Sequence, residues 1–250
     1  VTAWSADWSY AYLRALMQRI GARYRFARLE HAPAELAANA KVAFVRHDVD
    51  MCLERACALA KLEAEWGVVA TYHVMSSSPF YDLGSPSSRA ALDTIRAHGH
   101  EIGMHYHPPV DGELDPEHAV LDRACARFEQ VTGIDVRSVS FHMPASTMIG
   151  GPLLVSGRVN AYAAPLLAWY LSDSQGRWRE GEPAVSIERP RADHLQILVH
   201  PLWWGEHNEV PVQRLGRLVE KLARERNESY EAVADLAYAH ILVRPPNVAS

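Results

Sequence analysis

Long apolar runs are missing from this chain. No stretch approaches the roughly 20 apolar residues of a membrane span, so no spanning helix is expected. Cysteine is scarce: Cys52, Cys57 and Cys125 form no Cys-x-x-Cys pair and are odd in number. That argues against a disulfide framework and for a reducing compartment, which makes a cytoplasmic location the expectation. Basic runs are absent too, and the net charge is −5, so nucleic acid is not an expected partner. The first five residues, Val1 to Ser5, hold no basic segment followed by an apolar one. No signal peptide is therefore expected, an already removed leader being compatible with the missing initiator Met. Nucleophile-elbow, phosphate-loop and dinucleotide fingerprints do not occur. No repeat of about 20–50 residues is visible.

What remains is ordinary globular chain: 250 residues, 48% hydrophobic and 22% charged, enough for one large α/β domain. Helical spacing of Leu13, Leu16, Met17 and Ile20 predicts a surface helix over 8–23, ending near Gly21. Val42–Val45 reads as a buried strand, followed by a helix over 53–66 and a second strand over 68–75. A loop spans 76–88, and a helix spans 89–98. A third strand over 100–107 is stopped by Pro108 and Pro109. A helix over 116–131 follows, with Asp115 as N-cap and Pro116 at its first position. Strands are expected at 138–142, 169–174 and 195–200, then a helix over 212–240 broken near Asn227–Ser229. The segment 150–165 is not ordered by its pattern. Strands alternating with helices indicate a parallel sheet or a (β/α) barrel. The expected organisation is a helical lead-in over 1–40 packed on a barrel over 41–250, one structural domain in all.

Strand after strand ends in titratable residues. Arg46-His47-Asp48-Val49-Asp50 closes the first, and alternation puts Asp48 and Asp50 on one side. Two carboxylates side by side need a cation, a shared proton or solvent. His105 and His107 end the third strand and share a face. With Asp50 they would give three ligands and leave an open position, the pattern of a catalytic metal site; their bland alternative is a wet strand end. Asp48 is then the candidate general base, or else a helix cap, and His200 the candidate general acid, or else a core histidine. Asp173 either orients His200 or lies in a plain turn. Trp203 and Trp204 suit a sugar-stacking wall and equally suit core packing. His47, His73, His100 and His142 have no role assigned by pattern alone. Cys52 has no basic neighbour placed to lower its pKa and reads as packing.

Taken in order, these pieces resemble the polysaccharide deacetylase (NodB-homology) family, carbohydrate esterase family four. Arg46–Asp50 looks like its first motif, whose first acid is the base and whose second binds metal. Ala70–Val74 looks like the family's second strand, and Gly99–His105 is very like its second motif. Ser140–Pro144, which contains His142, stands where a groove-lining third motif belongs. Ser172–Ser174 with Trp178 resembles the fourth, and Leu198–His200 the fifth, which carries the acid histidine. The match runs from about Val42 to Trp204. It departs at Pro109, where the usual second ligand histidine would stand, so His107 must substitute. It departs also in Asp-Val-Asp for adjacent aspartates, and in a third motif without arginine, whose charge Arg46 would supply.

The resemblance implies a distorted barrel of about seven strands, TIM-like in plan. It implies metal-dependent removal of an N-acetyl group from a sugar or sugar-containing metabolite or natural product. Asp48 would serve as base, His200 as acid, and Asp50, His105 and His107 as ligands. Arg46, His142, Asp173, Trp178, Trp203 and Trp204 would line the substrate groove. The cation implied is zinc first, with iron, cobalt, nickel or manganese as alternatives. Two other readings stay open: hydrolysis of a non-sugar C–N bond such as a cyclic amide or formamide, and non-catalytic saccharide binding. A homodimer is compatible with all three.

Overall fold

The structure, a computed structural model, describes residues 6–112, 114–115, 118–144, 146 and 148–241. The reading of the first five residues therefore lies outside the described residues. Ser9 opens the first helix: its backbone is extended and its Oγ accepts the Tyr12 amide at 3.1 Å, satisfying one free donor of the first turn. Helix α1 (Tyr10–Gly21) then buries Leu13, Leu16, Met17 and Ile20. Strand β1 (Arg25–Phe26) and helix α2 (Ala32–Ala37) lead to β2 (Val42–Val49). Next come α3 (Leu53–Glu65), β3 (Ala70–Met75), α4 (Pro86–Ala97), β4 (Glu101–Tyr106), α5 (Pro108–Asp111) and α6 (Ala119–Thr132). The chain continues through β5 (Ser138–Phe141), β6 (Leu154–Val155), β7 (Arg158–Asn160), β8 (Tyr170–Ser172), α7 (Pro183–Ile187) and β9 (His194–Leu198). Helices α8 (Pro211–Arg226) and α9 (Tyr230–Ile241) complete it.

Several boundaries differ from the sequence pattern for local reasons. Helix α4 starts at Pro86 rather than Arg89, because Ser85 caps it by accepting the Ser88 amide at 3.2 Å and proline is preset for a first turn. The expected start of α6 at Pro116 lies outside the described residues. The helix begins at Ala119 with His118 in the cap position, and Asp115 reaches its first turn from further out, accepting from the amides of Ala119 at 3.2 Å and Val120 at 3.0 Å. Asn227 adopts a left-handed φ of 55° and ends α8, which is the break expected there. The unassigned segment holds the β6–β7 hairpin. Its turn is Ser156-Gly157 with φ of 50° and 75°, the two positive values a two-residue hairpin turn needs.

The strands form one curled sheet of nine, ordered β6-β7-β5-β4-β3-β2-β9-β8, with β1 paired on the start of β2. Setting aside β1 and the antiparallel β6, the other seven are parallel to their neighbours, an incomplete barrel wrapped by helices in a single mixed α/β domain. Among the described residues no ladder joins its two ends, β6 and β8. The Gln196 amide group on β9 donates to the Ala161 carbonyl at 3.0 Å. No helix among the described residues is long and apolar enough to cross a membrane.

Alternation sorts β2 cleanly. Ala43, Val45 and Val49 join the large apolar layer under the helices. Val42 and Phe44 point inward and meet Ala27, Leu29, Ala32, Val159 and Leu166 in a smaller plug that fills the barrel floor. Above that plug the inward positions of β2 become Arg46, Asp48 and then Asp50. A buried Glu101 seals the floor beside the plug. It accepts from Thr71 Oγ at 2.7 Å, Ser138 Oγ at 2.6 Å and the Glu30 amide at 2.9 Å.

Outside the sheet, three side chains form a closed polar network. His47 Nδ1–H donates to the Val199 carbonyl at 2.9 Å, and its Nε2 meets Glu63 Oε1 at 2.9 Å. The Tyr72 hydroxyl donates to Glu63 Oε2 at 2.7 Å. His100 sits close by; its Nδ1 accepts the Ala70 amide at 3.1 Å, so its Nε2–H donates to the Ala60 carbonyl at 2.9 Å. Both histidines are therefore structural. Burial opposes charge on Glu63, yet His47 beside it holds its carboxyl below the usual 4.5. This contribution to stability is complete above the unfolded-state value and is lost as pH falls through the folded one. Glu63→Ala strands His47 and Tyr72 and should cost about 3–5 kcal/mol in urea unfolding at neutral pH. Glu63→Gln can accept from Tyr72 and donate to a neutral His47. It should recover most of the loss and flatten the acid side of the stability profile.

Candidate active site

The barrel mouth is built in layers by the same alternation. Inward positions are His73 on β3, Gly103 and His105 on β4, Ser138 and Ser140 on β5, and Gln196 on β9. In the lower layer, Asp48 pairs in register with His73 and His73 with Gly103. Glycine is required there: a Cβ on Gly103 would stand 2.5 Å from His73 Cδ2 and 2.7 Å from Ser138 Oγ. Ser138 gives its hydrogen to Glu101, so it accepts from His73 Nε2 at 3.0 Å and leaves His73 Nδ1 bare, 3.8 Å from Asp48 Oδ1.

Asp48 is almost fully buried and held on both oxygens by Arg46, at 2.9 Å from Nε and 2.7 Å from Nη2. Burial works against ionisation, but the guanidinium holds this carboxyl well below the usual carboxylate range. Arg46 itself has no exposed surface and lies 4.2 Å over the Tyr162 ring. It holds Asp48 and is not among the residues that line the cleft.

One layer up, hydrogen positions follow from a chain of donors. Ser140 Oγ–H donates to Asp48 Oδ1 at 3.1 Å, so it accepts from His105 Nδ1–H at 2.6 Å. His105 Nε2 is then bare. His142 Nε2–H donates to the His240 carbonyl at 2.8 Å, which leaves Nδ1 bare. These two lone pairs meet a carboxylate oxygen: Asp50 Oδ1 is 3.1 Å from His105 Nε2 and 3.3 Å from His142 Nδ1, and the two nitrogens are 3.3 Å apart. Among the described residues Asp50 Oδ1 receives no hydrogen bond. Three acceptors aimed at one another repel unless a cation sits between them. A tetrahedral ion with bonds of about 2.0–2.1 Å keeps its donors about 3.3 Å apart, so the set fits a divalent ion such as zinc.

His142, rather than His107, is the histidine that stands beside Asp50 and His105. β4 ends at Tyr106, and His107 caps α5 instead of extending the strand. Its ring stands edge-on to His142 at 4.7 Å and to His240 at 5.5 Å, with both nitrogens buried and unpartnered among the described residues. Burial, with His142 and His105 nearby, lowers His107 to about 4.

Across the mouth, His200 Nδ1–H donates to Asp173 Oδ1 at 2.6 Å. The His200 amide reaches both carboxylate oxygens at 3.0 Å, and Trp204 Nε1–H reaches Oδ2 at 2.9 Å. Asp173 therefore holds the imidazole, while its carbonyl accepts the Gly176 amide at 3.0 Å in the turn that follows. His200 Nε2 points back at Asp50 Oδ2, 3.8 Å away. Burial would lower this histidine, but Asp173 raises it to about 9, so it carries a proton at neutral pH.

The groups open on a cleft of about 410 Å³ lined by Asp48, Asp50, His105, His142, His200 and Trp203 among others. Its further wall is apolar, with Met143, Ile149, Leu167 and Tyr170. Trp178 and Trp204 do not line it. Trp204 is fully buried, 5.2 Å from Trp8, and Trp178 stacks on Trp8 at 6.4 Å, so both are packing residues and only Trp203 reaches the expected wall. Ser140, Tyr162 and His240 had no assigned role in the pattern. Ser140 alone was findable, two residues from His142 on an inward strand position.

No family model matches the chain, and no curated protein matches it. Among solved structures, the chain is similar to a CE4 family pseudoenzyme from Bacillus anthracis, at 16% identity and a TM-score of 0.41. That match covers 75% of this chain and 62% of the pseudoenzyme, so this chain spans less than two thirds of its length. It is similar also to the Xyl-CE4 domain of a multidomain xylanase from the hindgut metagenome of Trinervitermes trinervoides, at 14% identity, 79% and 91% coverage and a TM-score of 0.43. A Streptococcus mutans CE4 esterase matches at 12% identity, 84% and 92% coverage and a TM-score of 0.43. All three similarities are to proteins described as CE4, each at low identity.

Proposed function

We propose that this protein is a metal-dependent amide hydrolase that removes an N-acyl group, acetyl first, from a sugar or sugar-like metabolite. One observation carries the reading. Asp50, His105 and His142 turn three donor atoms onto one point, 3.1–3.3 Å apart, with His200 Nε2 facing Asp50 at 3.8 Å from across the mouth. A divalent cation bound there supplies Lewis acidity, polarising a carbonyl and acidifying water. The chain's own residues do the rest. Asp48 lines the cleft, is ionised at every working pH and is not needed as a ligand. It accepts the proton of the attacking water, and Arg46 and Ser140 fix its direction. Its low basicity suits a water already acidified. His200 Nε2–H then gives its proton to the departing nitrogen, and Asp173 holds the imidazole in the tautomer that can do so.

The apolar side of the cleft supports a second reading. Met143, Ile149 and Leu167 offer a surface for an aliphatic or aromatic acceptor, and two of the three expected tryptophans are absent from it. A non-sugar amide would use the same machinery. The protein reloaded with zinc, cobalt or manganese is assayed for acetate release from N-acetyl sugars and for amine release from N-acyl arylalkylamines. Asp48→Asn should reduce either activity by about 10²–10⁴-fold. Cation binding without turnover on either panel would leave a binding protein.

A further inference from the structure

His240 is the buried histidine with the least to do in the scheme above. The residue is 7% exposed, and its Nε2 has no partner among the described residues. A buried polar atom left unmatched costs about 1–3 kcal/mol, so the fold tolerates it where something else satisfies it. The ring faces the cleft, 4.4 Å from His142 and nearly parallel to it at 19°. One ligand atom each from Asp50, His142 and His240 lie within 4.8 Å of one another. The same residue acts on the site a second time through its backbone, since its carbonyl fixes the His142 tautomer at 2.8 Å. Phe80 supports the ring from behind at 5.1 Å, edge to face.

We propose that His240 is a fourth protein donor to the cation held by Asp50, His105 and His142, so that the last turn of α9 fills the coordination position that a substrate must take. This rests on the three-donor reading above. A tetrahedral site with four protein donors is closed, whereas a catalytic one keeps a position open. With the ion bound and the four donors drawn in to about 3.3 Å of one another, the centre would be a closed Asp-His-His-His site, and α9 would have to withdraw its histidine before an acyl oxygen could enter. The backbone carbonyl that holds His142 belongs to the same turn, so a shift of α9 loosens two donors together. His107, the other unpartnered imidazole, stands edge-on to His240 and is the competing candidate for that position.

The full chain is loaded with Co²⁺, and its visible spectrum and its affinity, by competition with a chromophoric chelator, are compared across variants. His240→Phe keeps the ring packing on Phe80 and the backbone carbonyl. It should weaken binding roughly ten- to a hundredfold, the scale seen when a metal site loses a supporting group, and change the cobalt spectrum as water replaces nitrogen. His240→Gln should weaken it in the same direction if the phenylalanine variant folds poorly. His107→Phe should leave spectrum and affinity unchanged. Wild-type spectrum and affinity in both His240 variants, with binding lost in His105→Ala, overturn the proposal; so does a change confined to His107→Phe. If His105→Ala also binds like wild type, the three-donor reading fails, and this inference fails with it.

Discussion

Replacing His105 with alanine is expected to strip the protein of its cation and lower amide hydrolysis by at least about a thousandfold. Lewis-acid stabilisation of developing charge is worth several kcal/mol, and each 1.36 kcal/mol is a factor of ten in rate, so about 4 kcal/mol accounts for the loss. His105 is the donor most firmly placed. Its Nδ1 is anchored through Ser140 to Asp48, and Asp48 is anchored on both oxygens by Arg46. That chain gives the experiment its internal control. Ser140→Ala leaves all three donors but frees the His105 ring to turn, and should cost about 10–100-fold in affinity. Apo-protein stability should move by no more than about 1–2 kcal/mol in either variant, since His105 stands at the barrel mouth above the apolar plug. Metal content by mass spectrometry, cation affinity and urea unfolding check the three statements separately. Full cation occupancy in His105→Ala would refute the donor assignment.

The inward and outward faces of the central strands were legible because alternation needs no tertiary information. Asp48 and Asp50 share a face, Ser140 and His142 share another, and His105 looks inward, all as period two requires. What failed at His107 is the same rule applied one residue too far. β4 stops at Tyr106, and once Pro108 starts a helical turn the next side chain no longer obeys strand parity. His240 was illegible in principle. It lies on a helix almost a hundred residues beyond His142, and nothing in its neighbourhood marks it off from any amphipathic helix end. The tryptophans failed for another reason. Composition cannot separate a stacking wall from core, and what decides it here is the arrival of Trp8 and Tyr12 from the other end of the chain, which cover Trp204 and Trp178. The alternation of strands and helices was readable as a parallel sheet or barrel, and six of its seven parallel strands were placed by pattern. The seventh, β7, was not, because it lies in the Gly- and Pro-punctuated segment 150–165 where no apolar period marks a strand.

His200→Asn should lower kcat for an N-alkyl amide by about 10²–10⁴-fold, the usual worth of a positioned general acid, with cation affinity changed only a few-fold. The physical argument is about the leaving group. An amine cannot depart as an anion at neutral pH, so it needs a proton in the transition state. His200, raised to about 9 by Asp173 against the pull of burial, is the protonated group that faces Asp50 across the mouth. An aryl ester whose phenolate is stable at neutral pH needs no such proton. The same variant should therefore lose less than about tenfold on that ester, because only the acid's share of catalysis is removed. Asp173→Asn should fall between the two, since an amide oxygen can still accept from Nδ1–H but no longer stabilises the imidazolium. The two substrates measured side by side make the role testable apart from the fold. Equal losses on amide and ester would mean that His200 holds the site together and donates no proton. A loss concentrated on the amide, with the ester nearly spared, assigns it the transfer to nitrogen.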